Sequence, residues 1–309
     1  MKEFYTLADL QNWDATTEVD KPIRLGVFGD RVEHSRSPEM QNAALSACGL
    51  PMHYARFQIR AEELETALKL LPKVNFIGVN LTTPHKIPSV QFMDQLDGFA
   101  GSVGAVNTVR IDGGKLVGYN TDGAGFSRAI RSDFSIDLRD LRVMLFGAGG
   151  GAGRSIAMQA AIEGCERLVL VNRTREKAQQ LAADLRPFFA DARVAAPVPR
   201  LEAVPWEERA LRFQIANTDL IVNATALGMR RSDPPLVPAS LLAPHLMVYD
   251  TVYIPTQTPL LVGAAEAGAR AANGISMLLH QGALAFETWF DRDAPLAEMR
   301  AAISAPQKS

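Results

Sequence analysis

The chain has 309 residues, enough for two domains of ordinary size, with 47% hydrophobic and 21% charged residues and a formal net charge of −2. That balance argues against a nucleic-acid or membrane-surface binder, and no apolar run reaches the ~18 residues of a membrane span. The N-terminus lacks the apolar core of a signal peptide, and Cys48 and Cys165, both on expected helices, read as buried free thiols rather than a disulfide, so the cytoplasm is the expected compartment.

Residues 1–20 show little periodicity and read as an extension. Arg24–Gly29 is an apolar strand, and Ser37-Pro38 starts a helix with serine as N-cap and proline at the first helical position. That helix runs to about Cys48, where Gly49 suits the C′ position. Tyr54–Ile59 is a second strand, Ala61–Leu71 a helix with leucines at 64, 68 and 71, and Phe76–Leu81 a third strand. Thr83-Pro84 repeats the cap-plus-proline helix start. Ala105–Ile111 and Leu116–Tyr119 flank Asp112-Gly113-Gly114, a hairpin signal.

A helix beginning at Asp122-Gly123 leads into a second α/β pattern with strands at Val143–Phe146, Leu168–Val171, Arg193–Ala196, Leu220–Asn223 and Met247–Asp250. Helices between most of them predict a doubly wound parallel sheet of Rossmann type. Thr258-Pro259 starts a helix ending near Gly268, Ser276–Phe290 is a last helix returning to the first domain, and Ala301–Ser309 reads as a frayed tail. The expected division is residues 1–121 plus 275–309 as an α/β substrate-binding and catalytic domain, and 122–274 as a dinucleotide-binding domain.

The stretch from Leu141 to Lys177 carries the cofactor signal: a strand, the loop Gly147-Ala148-Gly149-Gly150-Gly151-Ala152, a helix, and a strand ending at Asn172-Arg173-Thr174. Gly147 permits the tight turn, Gly149 lets backbone approach a pyrophosphate at the helix N-terminus, and Ala152 allows close helix–strand packing. A carboxylate at the end of the second strand suits the ribose 2′-hydroxyl of NAD; arginine suits the 2′-phosphate of NADP. Arg173, with Thr174, Arg175 and Lys177, therefore points to NADP, against the plainer reading of a solvated basic helix start.

Hydride transfer to a carbonyl needs a proton donor but no metal, and His34, His53, His85, His245 and His280 show no metal-ligand spacing. Three other stretches place small polar groups near predicted strand ends, where open α/β sheets bind ligands: His34-Ser35-Arg36-Ser37-Pro38, Asn80-Leu81-Thr82-Thr83-Pro84-His85-Lys86, and Gly104–Thr108 followed by Asn120-Thr121-Asp122-Gly123.

These motifs, in order with Asn223-Ala224-Thr225-Ala226-Leu227-Gly228-Met229, the Asp250–Leu260 stretch and Gln281-Gly282, resemble those of the shikimate dehydrogenase family from about residue 24 to 290. The resemblance implies reversible, NADP-dependent oxidation of shikimate to 3-dehydroshikimate, with Lys86 as catalytic lysine and Asp122 as its partner. An ammonium at Lys86 could donate a proton to the forming alkoxide or stabilise it by charge. Ser35 and Ser37 would bind the substrate carboxylate, Thr82, Asn107 and Gln281 the ring hydroxyls, and Tyr253, a further substrate-binding residue, would lie at the interdomain cleft near the carboxylate and the nicotinamide. Thr225 and Gly274 join the cofactor set. The partner is thus a small polyhydroxy acid, not nucleic acid or a membrane, bound by a monomer or homodimer.

Departures from the family pattern are Gln41-Asn42 in place of His-Asn, Leu81 for Val, His85 where Phe is common, and a glycine loop that reads one residue longer. The competing readings are a quinate-preferring or NAD-using paralogue, a non-catalytic NADP-binding sensor, and a tRNA-dependent reductase, which would need a catalytic cysteine at a strand end.

Overall fold

A computed structural model describes residues 2–13, 20–190, 198–230 and 232–304. The chain divides into two compact units, Met1–Thr121 with Leu278–Ser309, and Asp122–Met277.

In the first unit the described strands form one sheet in the order β1-β3-β2-β4-β6-β7-β5. The strands are β1 (Tyr5–Thr6), β2 (Ile23–Gly29), β3 (His53–Gln58), β4 (Gly78–Leu81), β5 (Gln95–Leu96), β6 (Thr108–Asp112) and β7 (Lys115–Tyr119). Strands β1 to β4 run parallel, and the β6–β7 hairpin turns back antiparallel. Gly113 and Gly114, at φ 55 and 81, provide the left-handed turn that the hairpin needs. Helix α1 spans Leu7–Gln11, α2 Ser37–Ala47, α3 Leu64–Leu70 and α4 Gly98–Val103.

Residues 2–13, the described part of the expected extension apart from Asp20, are not loose; residues 14–19 lie outside the described residues. Tyr5 pairs in register with Phe57, and Tyr5, Leu10 and Trp13 are buried. The Tyr5 ring stacks on Phe57 and the Trp13 ring packs tilted against Phe76, both at a centroid separation of 5.4 Å. A two-residue strand is too short to show alternation, so its aromatic anchors were silent in the sequence pattern. The added strand covers the open edge of β3, which would otherwise present unpaired backbone groups.

Two further expectations are corrected here. Ser37 is the first helical residue of α2, not its cap: Arg36 occupies the cap position, and the Ser37 N–H donates to Ser35 Oγ at 3.3 Å. Thr83-Pro84 starts no α-helix. The Lys86 carbonyl is taken by the Val106 N–H at 2.7 Å, and only a short 3-10 turn follows at Pro88–Phe92.

In the second unit the described strands are β8 (Arg142–Phe146), β9 (Arg167–Val171), β10 (Leu201–Val204), β11 (Leu220–Asn223), β12 (Met247–Asp250) and β13 (Arg270–Asn273). All are parallel, in the order β10-β9-β8-β11-β12-β13. That is the doubly wound order in which the chain switches direction between β8 and β11. The central strands β8, β9, β11 and β12 are buried almost throughout, as strands covered by helices on both faces must be, while the outer described strands β10 and β13 are partly exposed. The helices are α5 (Asp122–Phe134), α6 (Gly151–Ile162), α7 (Arg175–Leu185), α8 (Glu208–Ile215) and α9 (Pro259–Glu266). The expected strand Arg193–Ala196 lies outside the described residues; the described strand beside β9 is Leu201–Val204. Thr258 caps α9 as expected, accepting the Leu261 N–H at 3.3 Å, with Pro259 at the first helical position.

Helix α10 spans Ile275–Phe290, and α11, Leu296–Ser304, carries helix through residues 301–304 of the expected frayed tail, the rest of which lies outside the described residues. From Leu278 onward the chain belongs to the first unit. Gln41 Nε2 donates to the Gly282 carbonyl at 2.9 Å, Trp289 Nε1 to Val109 at 3.0 Å, and Arg110 grips Asp291 with two bonds of 2.9 Å.

Candidate active site

The first unit gathers its polar motifs at one end of the sheet. Strands β2 and β4 finish at Gly29 and Leu81, and β6 enters beside them, with Thr108 opposite Asn80. Thr82, Asn107 and the loop after Gly29 therefore share the carboxyl end of the parallel strands. The approach of two of these segments is close: a Cβ at Gly29 would stand 2.5 Å from Thr82 Cγ2.

Asn107 is held by its surroundings in one orientation. Its Oδ1 accepts from the Thr121 N–H at 2.8 Å and Thr108 Oγ1 at 3.0 Å. A backbone N–H cannot reverse its role, so the amide must present Nδ2 to the remaining acceptors, donating to Thr121 Oγ1 at 2.9 Å and to Gln281 Oε1 at 3.3 Å. Beneath it, Tyr54 Oη donates to Asn80 Oδ1, and Asn80 Nδ2 donates to the Asn107 carbonyl and to Thr108 Oγ1. Asn107 and Gln281 are thus brought together as a preset pair, and Thr82 lies along the same strand ends. Asn80 opens one of the polar stretches of the sequence, whereas Tyr54, which carries the same network, has no mark of its own there, because its role is to fix another side chain.

Lys86 is half-buried on the loop after Thr82. Its neighbour His85 is fully buried, with Nε2 at 2.7 Å from the Ile59 carbonyl, and burial holds its pKa below the ordinary histidine value. The ring is a packing element that ties the lysine loop to the end of β3. Gln41-Asn42 also proves to be packing: Asn42 exchanges two 2.9 Å bonds with the Tyr54 backbone. Ser35 and Ser37 stand on the loop after β2 and at the start of α2, with Ser37 buried.

In the second unit the glycine loop lies at the switch point. Gly147 has φ 87, and a Cβ there would meet the Ala224 carbonyl at 2.6 Å, so the loops after β8 and β11 touch through backbone alone. The Gly149 N–H donates to Asn172 Oδ1 at 3.1 Å, which joins the loop to the end of β9. The close-packing role expected of Ala152 belongs to Gly153, whose Cβ would fall 2.1 Å from the Gly147 carbonyl oxygen. The fingerprint is therefore Gly147-x-Gly149-x-x-x-Gly153, one residue longer than the common spacing. Helix α6 begins at Gly151 with its N-terminal N–H groups at the loop, a suitable seat for a pyrophosphate. Replacing Gly153 by alanine is expected to push the helix off the loop and weaken dinucleotide binding by tenfold or more, on the order of the 1–3 kcal/mol that overpacking costs. Titration of the variant with NADPH, followed by nicotinamide fluorescence, checks this; unchanged affinity would show that the loop has room.

Arg173, Thr174 and Lys177 are exposed at the end of β9 and the start of α7, with Asn172 Nδ2 donating to the Thr174 carbonyl at 2.8 Å. Thr174 holds the cap position without a side-chain cap bond. Thr225 follows β11, its Oγ1 donating to Asn223 Oδ1 at 2.7 Å. Asn223 also donates to Asp250 Oδ1 at 2.9 Å, and Thr258 Oγ1 to Asp250 Oδ2 at 2.6 Å. This buried braid, in which burial outweighs the hydrogen bonds and raises the Asp250 pKa, ties together the loops after β11 and β12. Gly274 packs so tightly that a Cβ would lie 2.1 Å from the Thr251 carbonyl oxygen. Tyr253 is half-buried on the loop after β12, and Asp122 is buried at the first turn of α5. The glycine cradle, the helix N-terminus and the basic strand end together fit a 2′-phosphorylated dinucleotide.

Both cysteines are free, but Cys48 is half-buried at the C-cap of α2 rather than buried within the helix. Cys165 lies beyond the end of α6, not within a helix, and burial pushes its thiol up to about 12. Among the described residues, no helix is long and apolar enough to cross a membrane, and no three His, Cys, Asp or Glu side chains cluster to hold a metal ion.

Comparison with known proteins agrees with this anatomy. Residues 27–109 match the shikimate dehydrogenase substrate binding domain, 129–227 the shikimate / quinate 5-dehydrogenase family, and 274–303 the shikimate 5'-dehydrogenase C-terminal domain. The shikimate dehydrogenase (NADP(+)) of Methanopyrus kandleri is 39% identical over 94% of this chain and 96% of its own length. The chain belongs to the shikimate dehydrogenase family. The family's enzyme from Symbiobacterium thermophilum is 42% identical over 91% of this chain and 93% of its own. Among solved structures, the Thermus thermophilus shikimate 5-dehydrogenase in complex with NADP(H) and shikimate aligns with TM-score 0.79 at 34% identity, covering 91% of this chain and 98% of that one. Quinate dehydrogenase from Corynebacterium glutamicum in complex with NAD also aligns at TM-score 0.79, with 29% identity over 92% of this chain and 99% of that one.

Proposed function

We propose that this chain is an NADP-dependent shikimate dehydrogenase, oxidising shikimate reversibly to 3-dehydroshikimate. The observation that carries the reading is the pairing of an intact polar set, Ser35, Ser37, Thr82, Lys86, Asn107 and Gln281, with an arginine at the end of β9, in a chain whose curated relatives are shikimate dehydrogenases (NADP(+)).

We assign substrate binding to the first unit and NADP binding to the second. NADP, when bound, accepts the hydride from the substrate carbinol carbon, and NADPH returns it in the reverse direction. The hydroxyl proton leaves as the hydride does, and on reduction a proton must come back to the alkoxide. Lys86 is the group proposed to hold that proton, and Asp122 the second catalytic residue, its carboxylate accepting from a substrate hydroxyl. Ser35 and Ser37 donate to the carboxylate, while Asn107, with its Nδ2 preset, and Gln281 and Thr82 hydrogen-bond ring hydroxyls. A polyol that mispairs these groups leaves buried polar atoms unsatisfied, so the site discriminates well. Gly147 to Ala152, with Gly153, cradle the pyrophosphate, Asn172, Arg173, Thr174 and Lys177 receive the 2′-phosphorylated ribose, and Thr225 and Gly274 complete the cofactor set, while Tyr253 is assigned to the substrate. Two free thiols suit a cytoplasmic enzyme, monomeric or homodimeric.

A four-way assay of shikimate and quinate, each with NADP+ and NAD+, tests the reading by kcat/KM. Shikimate with NADP+ should lead. A quinate or NAD+ lead would favour the paralogue exemplified by the Corynebacterium quinate dehydrogenase, and inactivity on every pairing would favour a dinucleotide sensor.

A further inference from the structure

The loop carrying Ser35 and Ser37 is held from outside by a residue that none of the motifs contains. Arg56, on β3, points its guanidinium at the loop. Its Nε and Nη2 donate to the Ser35 carbonyl at 3.2 and 2.7 Å, and Nη2 also meets Glu39 Oε1 at 2.6 Å in the first turn of α2. Its side chain is only 17% exposed. Every polar atom of Ser35 is then committed in one direction. The N–H donates to the Val32 carbonyl at 3.0 Å, the carbonyl accepts the forked guanidinium, and Oγ accepts the Ser37 N–H at 3.3 Å. A hydroxyl whose oxygen already accepts a backbone N–H has its own proton left to donate outward.

We infer that Arg56 is the positioning residue of the carboxylate seat: it fixes the Ser35 backbone so that the hydroxyl proton faces the substrate's carboxylate without touching the substrate itself. The geometry demands arginine. A planar fork can hold one carbonyl with two donors and still reach Glu39, whereas an ammonium is a single point with no fixed plane. Neutral hydroxyls bind an anion well only if their protons point one way beforehand, because no net charge pulls them into line. The inference rests on the shikimate reading above.

The test is steady-state kinetics and thermal unfolding of Arg56→Gln, Arg56→Lys and Glu39→Gln. Arg56→Gln should raise KM for shikimate by about tenfold, the size of a lost charge-assisted hydrogen bond, with kcat and the KM for NADP+ changed by less than about twofold. Arg56→Lys should recover part of the loss. Glu39→Gln, which keeps the fork on Ser35, should leave the KM for shikimate within about twofold of the wild type. The methyl ester of shikimate, used as a competitive inhibitor, adds a second arm. Lacking the anion, it should bind wild type and Arg56→Gln almost equally. A lowered melting temperature with unchanged KM for shikimate would overturn the inference and leave Arg56 a structural brace. Equal loss for the ester and the acid would also overturn it. If the wild type fails to oxidise shikimate, the functional reading and this inference fall together; if the wild type is active and Arg56→Gln is unaltered, only the inference falls.

Discussion

Replacing Lys86 by alanine is expected to lower kcat for shikimate oxidation by about a hundredfold to ten-thousandfold, the range of a lost general acid or base. The backbone around it should stay in place. The Lys86 carbonyl accepts from Val106 N and from Ser89 Oγ at 3.2 Å, and His85 anchors the loop through Ile59, none of which needs the lysine amine. NADPH binding, followed by fluorescence titration, should therefore match the wild type while turnover collapses. Near-normal turnover would remove Lys86 from the chemistry. A second variant separates its two possible duties. Lys86→Arg keeps a positive charge but cannot give up its proton at any working pH. If arginine restores most of the rate, charge stabilisation of the alkoxide is what matters; if the rate stays down, proton transfer is.

Replacing Arg173 by alanine should raise the KM for NADP+ by roughly tenfold to a hundredfold, corresponding to the 1.5–3 kcal/mol of a hydrogen bond to a charged group. The KM for NAD+ should move by less than about twofold, since a 2′-hydroxyl gives the guanidinium no charge to meet. Arg173 is exposed at the end of β9, and the neighbouring Asn172 is held by the Gly149 N–H, so the substitution removes a ligand contact and leaves the loop intact. Lys177 remains to take part of the phosphate charge, which places an upper bound on the effect. An equal penalty on both cofactors would mean that Arg173 supports the adenosine seat as a whole and does not read the phosphate.

Much of the fold was legible because its strands are buried on both faces. Val143–Phe146, Leu168–Val171 and Leu220–Val222 are unbroken apolar runs separated by helical periods, and such runs need no tertiary information to be recognised. The cap-plus-proline signal was less dependable. It marked α9 correctly at Thr258-Pro259, where the threonine hydroxyl is drawn to Asp250, but it failed at Thr83-Pro84, where the Thr83 carbonyl is claimed by the Asp30 N–H and the Lys86 carbonyl by the Val106 N–H. A local signal holds only while no distant partner competes for the same backbone groups. The N-terminal segment shows the opposite error: its anchors Tyr5, Leu10 and Trp13 find their partners on β3 and beyond, and nothing in their spacing announces it.

The sequence alone determined the chemical inventory of this protein: a glycine-rich dinucleotide loop, a basic strand end, a lysine and an aspartate in motif, and small polar donors near strand ends. Those are properties of residue type and spacing, and they travel with the chain. The tertiary structure decided how that inventory is oriented. It assigned the close helix crossing to Gly153 and not Ala152, turned the Asn107 amide so that Nδ2 faces Gln281, and placed Arg56 behind Ser35. Each depends on which carbonyl or N–H from a distant segment arrives within about 3 Å, the range over which a hydrogen bond acts. Only the packed fold sets that.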